Sequence, residues 1–323
     1  MEHVVRIKAA GGIEQLEYAG ITLPPPGPGE ILVRHEAIGV NFLDTYHRAG
    51  LYPLPLPAVL GAEAAGIVEM LGPGVADLAV GDRIAYAGHP VGAYASARIL
   101  PAARAVKLPA TVDARLAAGS LLKGLTAHML LTRIYPVVPG STLLVLGAAG
   151  GLGSLLTQWA KRLGARVIGT VGSEAKAEVA RANGADAVIV GRDADLPAEV
   201  RKLTDGRGVD VAYDGIGGTR LPQTLDCVRP FGLVASIGQA AGPIPPLAVE
   251  ALGPRRSLTF ARPSVMAYAA EAATYATAAA AVLEMLGAGL APTHTQHYAL
   301  ADAARVHAEL ESGKSAGSII LLP

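Results

Sequence analysis

Hydrophobic and polar positions change rhythm near Thr126. Before it, apolar residues come in short runs cut by glycine and proline. Residues 30–40 place Ile31, Val33 and Ile38 in strand-like company after the turn-rich Pro24-Pro25-Pro26-Gly27-Pro28-Gly29. Residues 66–70 and 82–86 are two more candidate strands, each beside a glycine. The pattern predicts a compact, largely antiparallel β-domain. After Thr126, strands and helices alternate. Residues 143–146 are a wholly apolar run of the kind buried in a parallel sheet. Residues 154–163 have helical spacing, 166–171 read as a strand, and 174–183 as a helix ended by Gly184. Strands at 187–190, 209–213 and 233–237 continue the series. Such alternation predicts a doubly wound α/β domain with right-handed crossovers. It then stops: an alanine-rich helix over 268–286, a helix over 301–311 and a strand over 318–322 predict a tail that returns to the first domain. The expected division is 1–125 with 263–323, and 126–262.

Composition narrows the function classes. Lys+Arg and Asp+Glu are 27 each, so the chain lacks the basic excess of proteins that bind nucleic acid or anionic membranes by charge. Hydrophobic residues at 51% against 17% charged are ample for a core and unlike a disordered chain. A single cysteine, Cys227, excludes an internal disulfide framework and a cysteine-rich zinc site, and is expected to pack as a small hydrophobe. The first eight residues carry Glu2, Arg6 and Lys8 and have no signal-peptide core. The longest uncharged stretch, 134–160, is broken by Pro136, Pro139 and Gly140, which a membrane-spanning helix tolerates poorly. A soluble, cytoplasmic protein is expected.

The strongest chemical signal is Leu143-Leu144-Val145-Leu146-Gly147-Ala148-Ala149-Gly150-Gly151-Leu152-Gly153. A buried strand enters a loop with glycines at 147, 150 and 153 and leaves as a helix. Glycines let the backbone turn sharply and approach a pyrophosphate, whose charge the helix N-terminus favours. A glycine triplet alone is weak; the strand before it, the helix after it and a second strand about 20 residues on supply the context of a dinucleotide site. The competing reading is a glycine-rich turn without a ligand. The end of the second strand selects the cofactor. NAD-binding folds place a carboxylate there for the ribose 2′-hydroxyl, whereas this chain has Gly169-Thr170-Val171-Gly172-Ser173, with Lys176 one helical turn on. A hydroxyl and an ammonium favour a 2′-phosphate, so the expectation is NADPH. Glu174 keeps the ribose-hydroxyl alternative open, as does a merely solvated Lys176.

In the first domain, Asn41, Asp44, Thr45, Tyr46 and His47 crowd hydrogen-bonding groups between a strand end and a short helix, with Tyr52 and Pro53 just beyond. Taken alone this is an ordinary capped turn. Taken with the rest of the chain, it completes a set of motifs. They are Ala37-Ile38-Gly39-Val40-Asn41-Phe42-Leu43-Asp44-Thr45-Tyr46, Gly61-Ala62-Glu63-Ala64-Ala65-Gly66-Ile67-Val68, Leu122-Lys123-Gly124-Leu125-Thr126-Ala127, the glycine loop with Gln158 and Lys161, and Arg262-Pro263-Ser264. On these the chain resembles the quinone oxidoreductase, or zeta-crystallin-like, branch of the zinc-free medium-chain dehydrogenases and reductases.

The resemblance implies an α/β protein: a GroES-like β-rich catalytic domain plus a Rossmann domain with a doubly wound parallel sheet, and a cleft between them. It also implies site residues. Asn41, Asp44 and Tyr46 would line the nicotinamide end, and Thr126 would begin a helix near the cofactor. Gly150, Gly151, Leu152 and Gly153 would hold the pyrophosphate, and Gly172, Ser173 and Lys176 the 2′-phosphate. Gly238 and Gln239 would pass beneath the nicotinamide, with Arg262 approaching from the domain junction. Two positions depart from the family pattern: Gly191-Arg192 stands where a tyrosine is usual, and Gly313-Lys314 where an arginine is usual, with Arg192 and Lys314 as candidate substitutes.

Zinc-dependent relatives set Cys or His ligands around the cleft, where this chain has Asn41 and Gly61-Ala62-Glu63; His47, His89 and His128 lack the spacing of a ligand set. No metal is expected. An acceptor that is already electrophilic is then required, a quinone or a conjugated carbonyl, held against the nicotinamide in a water-poor site. Tyr46 or Tyr52, beside Asn41, would hydrogen-bond the oxygen on which charge develops. The expected activity is NADPH-dependent quinone reduction. The alternatives are a zinc-free reductase of alkenals or enones and a non-enzymatic, crystallin-like NADPH- or RNA-binding protein, against which the 4% aromatic content and zero net charge argue. A homodimer through the edge of the Rossmann sheet is expected.

Overall fold

A computed structural model describes all 323 residues. The chain divides into two compact units, Met1–Leu125 with Val265–Pro323, and Thr126–Ser264.

The first unit opens with β1 (Glu2–Ile7) and β2 (Glu17–Ile21), paired antiparallel. The long β3 (Glu30–Val40) runs straight into helix α1 (Phe42–Arg48). After β4 (Ala58–Val59) come β5 (Glu63–Leu71), β6 (Arg83–Ala87), β7 (Ala97–Pro101) and β8 (Val106–Lys107). Along β3 Ile31, Val33 and His35 turn inward while Arg34 and Glu36 face water, a period of two that fixes its register against β5. Helix α2 (Ala114–Ala118) starts on the Asp113 carboxylate, which accepts from the Leu116 N–H at 2.8 Å. Helix α3 (Leu121–His128) follows, and the first unit's head ends within it at Leu125.

In the second unit α3 passes into a π-helical turn, Met129–Ile134. Strands and helices then alternate: β9 (Thr142–Leu146), α4 (Gly151–Arg162), β10 (Arg166–Val171), α5 (Glu174–Ala182), β11 (Ala187–Val190), α6 (Leu196–Leu203), β12 (Val209–Asp214), α7 (Leu221–Asp226), β13 (Val228–Ser236) and β14 (Thr259–Ala261). The sheet is wholly parallel, in the order β11-β10-β9-β12-β13-β14. Chain direction across it reverses between β9 and β12. In open parallel sheets that switch point, at the carboxyl ends of the strands, is where ligands bind.

The tail consists of α8 (Val265–Tyr268), α9 (Ala272–Gly287), β15 (Thr295–Ala299), α10 (Ala303–Glu311) and β16 (Ser318–Leu322). β16 pairs antiparallel with β3, so the last strand is built into the first unit's main sheet. Ile319 and Leu321 join Ile31, Val33, Ile38, Val68, Ile84 and Leu100 in its core. No helix is long and apolar enough to cross a membrane.

Of the boundaries that differ from the sequence reading, three have a local physical cause. The helix expected over 268–286 is two helices, because the Glu271 carboxylate accepts from the Ala273 and Thr274 N–H groups at 3.1 and 2.8 Å and starts α9 there. α4 begins at Gly151, since the glycines themselves form its first turn. β13 starts at Val228, its first half disguised by Pro230 and by Phe231 at φ +60°.

Candidate active site

In the second unit, β9 delivers the chain to Gly147, whose φ of +70° turns it sharply. Thr170 on β10 fastens the turn, accepting the Gly147 N–H on Oγ1 at 3.4 Å and the Ala148 N–H on its carbonyl at 3.1 Å. Gly150 is the N-cap of α4 and supplies no side-chain acceptor, so the first N–H groups of α4 have no partner within the helix. A Cβ on Gly153 would sit 2.3 Å from the Gly147 carbonyl oxygen, so only glycine lets α4 approach β9 this closely. The arrangement is an anion cradle at a helix N-terminus.

Gly172, Ser173 and Lys176 come together at the end of β10. Ser173 is the N-cap residue of α5 but its hydroxyl makes no capping bond. Lys176 is half-buried, and its ammonium is pushed below the usual lysine range first by burial and then by the Arg192 guanidinium. A Cβ on Gly172 would lie 3.3 Å from Arg192 Nε. Two cations thus face one another across an exposed glycine and serine, an arrangement that an anion between them would stabilise. The Glu174 carboxylate is drawn instead to Arg181, which donates to it at 2.8 Å and to Glu178 at 2.6 Å.

At the ends of β12 and β13, the buried Asp214 carboxylate accepts from Ile216 N–H at 2.9 Å, Gly217 N–H at 2.8 Å and the Thr224 hydroxyl at 2.7 Å. It shapes the turn Gly215-Ile216-Gly217, which sequence reasoning passed over although an apolar strand followed by Asp-Gly-Ile-Gly-Gly signals it. Ile216 Cδ1 lies 3.6 Å from where a Cβ on Gly147 would stand, against the glycine turn. Gly238, Gln239 and Arg262 form one cluster: Arg262 donates to the buried Ser236 hydroxyl at 2.7 Å and to Gln239 Oε1 at 3.1 Å. Thr126 is half-buried in α3.

In the first unit, Asn41 caps α1, and the Asp44 carboxylate reaches back to accept its N–H at 2.8 Å. Asn41 Nδ2 donates to Glu63 Oε1 at 2.8 Å. The fully buried Glu63 also accepts from Lys123 Nζ at 3.0 Å and from Leu122 N–H at 2.7 Å. Asp44 is fully buried too. Its carboxyl is pushed up to about 7 by burial, which outweighs the Asn41 N–H and Tyr94 hydroxyl that stabilise the anion. A second row of groups continues from it. Tyr94 Oη lies 3.1 Å from Asp44 Oδ2 and 3.0 Å from His307 Nε2. Arg48 lies 3.2 Å from His307 Nδ1 and grips Glu311 at 2.6 and 3.1 Å. Tyr46 projects from the same helix, half-buried, with Tyr52 edge-on at 5.6 Å and Phe42 tilted at 6.2 Å. Tyr52 is 41% exposed. Lys314 is exposed in the turn before β16, its N–H on Ser312 Oγ at 3.2 Å. Tyr94, His307 and Arg48 carried no signal in the sequence, because nothing local to each marks it as polar and buried.

No group of three or more His, Cys, Asp or Glu residues is placed to hold a metal ion. Cys227 is buried, its thiol pushed up to about 12 by burial, and Sγ contacts the Gln223 carbonyl at 3.1 Å.

Comparison with known proteins adds to this geometry. Residues 27–110 match the alcohol dehydrogenase GroES-like domain, and residues 151–289 match the zinc-binding dehydrogenase family. The second description implies a metal that the residues do not fit: beside Asn41, the Glu63 carboxylate is already held by an ammonium and two N–H donors. A quinone oxidoreductase of Pseudomonas aeruginosa is 42% identical over 99% of both chains. A 2-haloacrylate reductase of a Burkholderia species is 41% identical over 98% of both. The crystal structure of Escherichia coli quinone oxidoreductase complexed with NADPH superposes with a TM-score of 0.96 at 39% identity, covering 99% of this chain and 100% of that one.

Proposed function

This chain belongs to the quinone oxidoreductase branch of the medium-chain dehydrogenases and reductases, and from that premise we propose that it reduces quinones with NADPH and without zinc. One observation carries the choice of cofactor. Lys176 and Arg192 flank Gly172 and Ser173 where an NAD-binding fold would place a carboxylate, and Glu174, the first residue of α5, is paired with Arg181.

In this reading the α4 N-terminus with Gly150, Gly151, Leu152 and Gly153 takes the pyrophosphate. Gly172, Ser173, Lys176 and Arg192 take the 2′-phosphate. Thr126, Gly238, Gln239 and Arg262 border the dinucleotide, Lys314 serves the adenosine end, and Asn41, Asp44 and Tyr46 receive the nicotinamide end. NADPH, when bound, supplies the hydride; a proton completes the hydroquinone. The residues offer no ligand set for a Lewis acid, so the acceptor itself has to be electrophilic. Tyr46 on α1 and Tyr52 just beyond it, their rings edge to edge, are the donors for its oxygen as negative charge develops there.

The test is NADPH oxidation with benzoquinone and naphthoquinone beside 2-haloacrylate and an alkenal. Faster turnover of the quinones is expected. Faster turnover of the conjugated acid or aldehyde would move the chain to the second reading, which the relationship to a 2-haloacrylate reductase supports. The proposal includes a homodimer joined through an edge of the parallel sheet, whose outer strands are β11 and β14, which sedimentation would check, and a cytoplasmic location, in keeping with balanced charge and a single cysteine.

A further inference from the structure

At the amino ends of β12 and β13, the end of the parallel sheet away from the glycine turn, a surface cavity of about 240 Å³ opens. Arg201 at the end of α6, Arg207 before β12 and Arg256 before β14 line it together, and Asp226 of α7 is the one carboxylate on its wall. The chain as a whole is balanced in charge, so this is a local excess. Arg207 is held by Asp210 at 2.6 Å and Arg256 by Asp226, whereas Arg201 makes no ion pair. Asp210 also accepts from Arg229 Nε at 2.6 Å and from the Thr142 N–H at 2.8 Å, so it is engaged behind the wall. The backbone around the cavity is unusual. Asp205 (φ +50°), Phe231 (φ +60°) and Ser257 (φ +49°) are the chain's non-glycine residues with positive φ. Each is the immediate neighbour of a lining residue: Gly206, Pro230 and Arg256 respectively. A residue with a Cβ resists that conformation, and such residues gather where a site holds the backbone in place. The three segments are tied together. A Cβ on Gly208 would lie 2.9 Å from the Arg229 nitrogen, and the Phe231 N–H donates to the Arg256 carbonyl at 3.2 Å. Helices α6 and α7 both end here, and their carbonyl ends favour a cation. They do not require three, because the Arg201 carbonyl already accepts the Gly206 N–H at 2.8 Å and the Thr224 carbonyl accepts the Cys227 N–H at 3.2 Å.

We propose that this cavity binds a phosphoryl dianion, at a site that shares no residue with the proposed dinucleotide site and does not depend on it. A guanidinium is a planar fork with five N–H groups, more than Asp210 or Asp226 takes up. A carboxylate offers two oxygens in one plane. A phosphoryl group offers three arranged in space, which suits forks arriving from three separate segments. The charge matches as well. Three guanidinium groups and Asp226 leave two positive charges on the wall, and a phosphate monoester carries about −1.5 to −2 at pH 7. Arg201, with no carboxylate of its own, is the residue on which binding depends most. Inorganic phosphate and the phosphate monoester of a small molecule share this chemistry, and the test separates them.

The experiment is calorimetric titration of the full chain with inorganic phosphate and with glycerol 2-phosphate, at constant ionic strength and pH 7.5, with and without saturating NADPH. The dinucleotide is included because its own phosphate sites would also take the probe. One phosphate site should persist under NADPH and in Lys176→Ala. Arg201→Ala should weaken it about tenfold, the size of a hydrogen bond to a charged group. Asp226→Asn removes the carboxylate from the wall and should tighten binding about threefold, as for one partly exposed charge; a gain of this kind does not arise from misfolding. Affinity should fall between pH 7.5 and 5.5, as the ligand loses its second charge near pH 6. Tighter binding of glycerol 2-phosphate assigns the site to a monoester, and tighter binding of inorganic phosphate assigns it to the free ion. Succinate binding more tightly than either overturns the phosphoryl assignment. Phosphate uptake that NADPH abolishes, or titrations of Arg201→Ala and Asp226→Asn that superimpose on wild type, overturn the proposal and leave the cofactor reading intact. Should NADPH itself fail to bind, the cofactor reading falls, and the Arg201→Ala and Asp226→Asn titrations still decide this one.

Discussion

The glycine turn before α4 and the polar cluster around α1 solve opposite problems. At the turn the exposed chemistry is backbone: Gly147, Gly150 and Gly153 carry no side chains, the first N–H groups of α4 have no partner within the helix, and of the nearby cations Lys176 is half-buried and Arg192 exposed. Around α1 the chemistry lies in buried side chains: Glu63 is paired with Lys123, and Asp44, Tyr94 and His307 form one hydrogen-bonded row in near-complete exclusion from solvent, with Asp44 Oδ1 left without a partner. The first device tolerates changes at its exposed charges but not at its glycines. The second tolerates almost nothing, because each group removed strands its partner in a medium that cannot hydrate it.

The comparison is broken most forcefully at Lys123. The Lys123 and Glu63 side chains are 10% and 0% exposed, and removing the ammonium leaves a buried carboxylate short of its cation. Lys123→Met should cost about 3–5 kcal/mol of stability, as expected for half of a buried ion pair. Glu63→Gln with Lys123→Met together should recover much of it, because the neutral amide needs no cation and its oxygen can still accept from the buried donors around it. Denaturant melts of the single and double variants decide the matter; a single variant within about 1 kcal/mol of wild type would show that the pair is hydrated after all.

A smaller but more localised loss is expected at the turn. In Gly153→Ala the new methyl meets the Gly147 carbonyl oxygen at 2.3 Å and Ala148 Cα at 2.8 Å, both backbone atoms with no rotamer to yield. Overpacking of this kind costs about 1–3 kcal/mol. Here it pushes α4 away from β9, so NADPH affinity should fall along with stability. Retained affinity in a destabilised Gly153→Ala would separate the phosphate cradle from this close packing.

What the sequence disclosed follows the same division. The turn at Gly147, Gly150 and Gly153 was legible because so tight a strand-to-helix connection forces a residue type at fixed spacing. The position of Ser173 and Lys176 at the end of β10 was legible because they follow the next strand. The antiparallel strand Glu30–Val40 and the parallel run Thr142–Leu146 were plain from periodicity. The α1 cluster was legible only in part. Asn41, Asp44 and Tyr46 lie together in sequence, whereas Glu63, Tyr94, Lys123 and His307 reach them from four separate elements. A side chain buried by tertiary contact leaves no local pattern: His307 lies on α10 between Val306 and Ala308 and looks like any helical residue. The split near Glu271 was hidden for the converse reason, since alanines on both sides support helix and only one carboxylate interrupts it.

The smallest effects belong to the charges at the end of β10, and they sharpen the contrast because they should alter selectivity and nothing else. Lys176→Ala should weaken NADPH about tenfold, the worth of one charge-assisted hydrogen bond reduced by partial hydration, and leave NADH within twofold. Arg192→Ala should act in the same direction. The two losses should not add fully, because each cation is unfavourable to the other when no anion lies between them, so removing one relieves the other. Glu174→Gln supplies the control. If Glu174 is committed to Arg181, as the 2.8 Å contact indicates, its neutralisation leaves the NADPH to NADH ratio where it was. If it were reaching for a ribose hydroxyl, the same change would weaken NADH alone. Titrating both dinucleotides against the three variants at moderate and high salt distinguishes these outcomes, since the phosphate contribution shrinks as salt rises and the hydroxyl contribution does not.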